Sequence, residues 1–186
     1  MPLRISFNLG DDDLRHYEDV AQQTQASARQ QSAEAIIASA RQVLEDARRA
    51  QQAEFVKERF SRLASMIDMA MDAQWPLGAE DSQRLLNALA CFGNTGPGAV
   101  SFLDHAIMIE LVSRDLEHDL AAYRDFCKLR DTRTARRRPG TDQDEQRDQW
   151  LQQHRDTLQQ RMHERRKRTL DRAGSSVRRL FSLFGL

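Results

Sequence analysis

Only two cysteines, Cys91 and Cys127, occur in 186 residues. That excludes a disulfide scaffold and makes a reducing compartment the simplest home. No apolar run approaches the roughly 20 residues that span a bilayer. The opening MPLRISFNLGDDD lacks the basic-then-apolar pattern of a signal peptide, so the expected location is cytoplasmic. Metal-binding spacing is missing too. His16, His105, His118, His154 and His163 show no ligand pairing, and neither cysteine has a CxxC neighbour. GNTGPG lacks the Gly-Lys-Ser/Thr ending of a phosphate loop, so no nucleotide or other cofactor is expected.

What is present is charge, unevenly spread. The formal net charge is zero, but residues 1–130 carry 14 Lys+Arg against 20 Asp+Glu, a net of −6. Residues 131–186 carry 14 against 8, a net of +6. An acidic body with a basic tail is the first organisational fact.

The densest apolar stretch is Ser101–Arg130, SFLDHAIMIELVSRDLEHDLAAYRDFCKLR. Ile109, Val112, Leu116, Leu120, Tyr123 and Cys127 recur at three- and four-residue steps and define one helical face. Glu110, Arg114, Glu117, His118, Arg124 and Lys128 fall largely opposite. Read as one rod of about 45 Å, it is the expected central helix. Val56, Phe60, Leu63, Ile67, Ala70 and Met71 make a second stripe, and Leu85, Leu86, Leu89 and Phe92 a third. WPLG at 75–78 separates these two, and GNTGPGAV forms a loop before the central helix. Between Leu14 and Gln52, helix-permissive residues predict two helices with a restart near Ser32–Ala33.

The expected fold is all-α: a compact helical body spanning 12–130, packed around the central helix. Before it, residues 1–11 read as an extended arm, since Leu3, Ile5, Phe7 and Leu9 alternate with polar residues. After it, 131–142 read as a polar linker broken by Pro139-Gly140. Residues 143–186 form a basic helical extension. Its helix carries only a thin stripe of Leu151, Leu158 and Met162, which predicts light packing.

Asp104 and His105 open the central helix and are weak candidate metal ligands; Asp104 reads first as a helix cap or dipole partner. Both cysteines read as small core hydrophobes, and no residue is assigned as catalytic. The tail VRRLFSLFGL sets Val177, Leu180, Phe181 and Phe184 at helical spacing beside Arg178 and Arg179. These six form the candidate partner-binding segment. Ten residues are too few for a stable isolated helix, so the segment needs a surface: the protein's own body, whose acidic charge attracts a basic tail, another protein's groove, or an anionic membrane. The partner expected is a protein. Four anchors and two arginines would hold a membrane surface only weakly. Nucleic acid is disfavoured, because Asp, Glu and Gln interleave the arginines and no aromatics accompany them.

FLDHAIMIELV, continuing through DLEHDLAAYRDFCKLR, resembles the signature region of the YkvA-like bacterial family, a domain of unknown function. Asn94 matches the first residue of that family's turn. Phe102, Leu103 and Asp104 match the approach to its acidic pair. The resemblance covers most of residues 80–130, and the arm ISFNL and tail FSLF are similar to those of longer relatives. It implies an all-helical fold and no established reaction. The chain departs from the pattern where His105 replaces the second acidic residue and where the Pro-Asp-x-Ile-Pro element is absent. A non-enzymatic interaction or adaptor protein is therefore the leading expectation. The alternatives are a small hydrolase or metal-dependent enzyme near Asp104 and His105, degenerate here, and nucleic-acid binding through the extension.

Overall fold

Seven helices account for almost all of the chain that the computed structural model describes, namely residues 10–93, 101–135 and 144–172. Among the described residues there is no strand, and no helix is long and apolar enough to cross a membrane. The fold is all-α.

Helix α1 (Asp11–Ala28) starts where three aspartates meet the helix dipole, and the Gly10 amide donates to Asp13 Oδ2 at 2.9 Å. Helix α2 (Ala33–Arg49) restarts at Ser32, whose hydroxyl accepts from the Ala35 amide. Its face of Ile36, Ala40, Val43, Leu44 and Ala47 is buried. Helix α3 (Glu54–Met71) buries Phe60, Leu63, Met66 and Ile67, and touches α2, α4, α5 and α6. The turn after it places Trp75 against Phe126 and Tyr123, with ring centroids 5.1 and 5.8 Å away. Helix α4 (Ala79–Ala90) follows.

The expected central rod is instead two helices, α5 (Phe102–Asp115) and α6 (Glu117–Ala135). The break falls at Leu116, with φ −98° and ψ 15°. Arg84 of α4 supplies a cause: its Nη2 donates to the Asp115 carbonyl at 3.2 Å. A side-chain donor inserted at a ladder carbonyl is a recognised origin of helix bends. The stripe survives the break, since Ile109, Val112, Leu116, Leu120 and Tyr123 are all buried. The hub of the fold is α3, because its four helical neighbours include both halves of the broken rod. The second half also runs to Ala135, four residues past Asp131, where a linker was expected.

Helix α7 (Asp144–Arg172) is mostly solvated, as its thin stripe predicts, but it is seated along its length on α6. It forms the most extensive helix pair in the fold with α6. The two run antiparallel, since Asp119 near the start of α6 meets Arg166 near the end of α7. Leu151 and Met162 are buried, Gln159 donates to the Pro76 carbonyl, and His118 meets Thr169 at 2.8 Å.

Candidate functional site

Asp104 is a framework residue. Its amide donates to the Ser101 hydroxyl, and its Oδ2 receives the Ser101 amide and hydroxyl at 3.2 and 2.8 Å, closing a capping box on α5. Its Oδ1 accepts from the Tyr17 hydroxyl at 3.3 Å, tying α5 to α1. Burial raises the Tyr17 pKa, and the neighbouring Asp104 carboxylate adds to it. His105 is 5% exposed and lies between the rings of Phe60 and Phe92. Burial lowers its pKa despite Asp104, so the imidazole is held neutral. Adjacent in sequence, the two residues are occupied by different neighbours. Among the described residues no group of three or more His, Cys, Asp or Glu is placed to hold a metal ion.

Cys91 is buried, and burial pushes its thiol up to about 12. Cys127 departs from expectation: it is only half-buried and lines a surface cleft with Tyr123, Arg124 and Arg130. Arg130 bonds Asp72 Oδ2 at 2.6 Å and Tyr123 donates to the same oxygen at 3.1 Å. The six tail residues, Val177, Arg178, Arg179, Leu180, Phe181 and Phe184, lie outside the described residues. So do most of the N-terminal arm, the loop at 94–100 and most of the linker.

The arrangement that sequence reasoning missed is a buried clamp of charge joining α4, α6 and α7. Arg84, 1% exposed, places Nη1 3.3 Å from Asp119 Oδ1 and 3.9 Å from Asp81 Oδ1. Arg166 reaches the same two oxygens, at 2.8 Å from Asp81 and 3.4 Å from Asp119. His163 meets the other Asp81 oxygen at 2.7 Å. Burial opposes ionisation of Asp81, but hydrogen bonds from His163 and Arg166 outweigh it and hold its carboxyl below the usual range. Asp119 is pushed upward by burial, against the pull of Arg84 and Arg166. Asp115 goes furthest, up to about 7, because burial meets only the opposing influence of Arg84. With Asp115 protonated, two carboxylates face two guanidiniums and the buried charge balances.

A signal for the clamp exists in the sequence. Asp81 and Arg84 share a helical phase with Leu85 and Ala88. Asp115 and Asp119 are in phase with Val112, Leu116 and Leu120, and Arg166 follows Met162 by four. Charges in the phase of an apolar stripe mark buried ion pairs, provided the partner element is known.

Fastened this way, α7 presents a second feature. Arg161, Arg165, Arg168 and Arg172 fall at steps of four, three and four, so they form one stripe about 16 Å long. All four are exposed. Arg168 reaches Glu164 only at 3.9 Å, with both side chains in water; the other three make no ion pair with any described residue. Such a surface pair is worth little.

The chain matches no family model, and neither the curated proteins nor the solved structures contain a match to it.

Proposed function

We propose that this chain is a non-enzymatic interaction or adaptor protein acting through its helical body and basic C-terminal extension, with α7 as a binding face. The supporting observation is the arginine stripe on a helix whose other side is latched down by Arg166, Asp81 and Asp119. Four like charges in a row repel one another, and an anionic partner relieves that cost. The latch removes most of the freedom of α7, so a partner meets a pre-organised surface. Asp104 and His105 serve the framework in this reading, as a cap and as core. Membership of the YkvA-like family, on the resemblance over most of residues 80–130, belongs to the same proposal. So does a cytoplasmic setting, which the two free cysteines favour.

The test replaces Arg161, Arg165, Arg168 and Arg172 together with Gln. All four are exposed, so helical content and melting temperature should hold. Cross-linking of partners to the wild-type protein should be lost in the variant. Equal recovery of the same partners by both proteins would remove α7 as the binding face.

A further inference from the structure

We infer that the body holds a small-ligand site where α2, α3, α4 and α6 meet, and that its ligand is an organic carboxylate with an apolar body. The site stands apart from the binding face proposed on α7. A cavity of about 270 Å³ lies between the start of α2, the end of α3 and α4, with Ile37, Leu77, Leu85 and Leu86 in its wall. Three polar side chains also line it: Asp72, Trp75 and Ser82. Asp72 is already held by Arg130 and Tyr123. Trp75 is different. It is 1% exposed, yet its indole N–H has no hydrogen-bond partner among the described residues. A buried donor left without an acceptor is costly, and an oxygen on a guest in the cavity would relieve it.

Met71 and Asp72 form a wall that this cavity shares with the cleft of about 580 Å³ bordering Cys127. Met71 is exposed, and Arg41 donates to its sulfur. A flexible thioether at the junction lets a guest of varied shape lie across cavity and cleft. The cleft supplies the charge. It sets Arg41, Arg124 and Arg130 against Asp68 and Asp72, an excess of one positive charge. Arg130 pairs with Asp72, whereas Arg41 and Arg124 are exposed and make no ion pair with any described residue. A single excess charge suits a monoanion, hence a carboxylate. Its apolar body fills the cavity, with an oxygen on the indole N–H, and its head group meets the two arginines.

The experiment is isothermal titration of the full chain with octanoate, octanol, and octanoate carrying a mid-chain keto group. Alkylation of Cys127, which lines the cleft, serves as a local reporter. Octanoate should bind more tightly than octanol and slow the alkylation. The keto acid should bind more tightly still, and Trp75→Phe should erase that advantage while the plain acid still binds. Arg41→Gln with Arg124→Gln should weaken octanoate about ten-fold and leave octanol unchanged. Both positions are exposed, so this variant keeps the site testable if Trp75→Phe fails to fold. No binding at millimolar ligand, equal affinity for acid and alcohol, or an unmoved affinity in the double Gln variant overturns the inference. So does a keto acid that binds no better than the plain chain. Octanoate binding lost in the four-fold Arg→Gln variant of α7 would put the anion on that stripe and also overturn it. Binding retained there supports the site, whether or not α7 proves to be a binding face.

Discussion

Arg166 and Asp81 lie 85 positions apart in the chain, yet their Nη1 and Oδ1 atoms stand 2.8 Å apart across the α4–α7 contact. Both are nearly sealed from water, with side-chain exposures of 11% and 8%. Removing one partner of a buried pair costs about 3–5 kcal/mol when the other charge is left alone; here Asp81 keeps His163 and the more distant Arg84, so that figure is an upper limit. Arg166→Leu should therefore destabilise the protein by up to that amount and loosen α7. Arg165→Leu, one residue along and exposed, should change stability by less than about 0.5 kcal/mol. Urea unfolding gives the energies, and amide exchange along 150–172 gives the loosening. Matching energies for the two variants would mean that α7 is not held by the clamp.

Asp115 predicts a pH dependence. Its folded value of about 7 lies above the ordinary carboxylate value of about 3.9. Between those values the folded state holds a proton that the unfolded state has released. Stability should thus fall as pH rises from about 4 to about 7 and then level off. At about 1.4 kcal/mol per pH unit, the upper limit of this loss is about 4 kcal/mol. Asp119, also raised, contributes in the same direction, while the lowered Asp81 acts oppositely and loses its contribution at acid pH. Asp115→Asn should flatten the loss, most visibly in melting temperatures at pH 5 and pH 8. A wild-type protein that gains stability steadily across that window would contradict the placement of Asp115.

The break between α5 and α6 leaves Leu116 1% exposed and Glu117 in water. Leu116→Asp would bury an unpaired charge at the cost of several kcal/mol, out of roughly 5–15 kcal/mol for a domain. That variant should be largely insoluble or lack cooperative unfolding, whereas Glu117→Ala should melt like the wild type. Calorimetry on the pair decides it.

Asp104 should behave as a structural cap. Asp104→Ala removes the capping box and the Tyr17 bond together, which should cost about 1–2 kcal/mol. Tyr17→Phe should cost less, since the capping box remains. Isothermal titration with zinc or magnesium should give the same trace for Asp104→Ala as for the wild type. A binding isotherm present only in the wild type would return Asp104 to the role of ligand.

The thiols should separate by rate. Cys91 is buried, with its thiol pushed up to about 12, so almost no thiolate forms near neutrality. Cys127 borders an open cleft. Under native conditions an alkylating reagent should therefore modify Cys127 first, and Cys91 only on unfolding. Mass spectrometry of time-quenched samples would reveal the reverse order.

Local interactions made the helices legible in the sequence. Apolar periodicity depends on neighbours three and four residues away, so the faces of α3, α4 and the Ser101–Arg130 stretch could largely be read directly, as could the restart at Ser32; Met71, read as part of the α3 stripe, is 53% exposed at the helix end. The functions of Asp104 and Cys91 were equally near to hand, because a cap and an apolar phase are both local. The break at Leu116, the seating of α7 and the charge clamp required tertiary structure. Each depends on residues that meet across helices, Arg84 with Asp115 and Asp119, and Arg166 with Asp81. In sequence Arg166 is one of four consecutive basic residues, RRKR at 165–168. Docking of α7 on α6 buries Arg166 and leaves Arg165, Lys167 and Arg168 in water. The composition of that run is local, but its division into one anchoring charge and an exposed basic surface depends on which side of α7 meets the body.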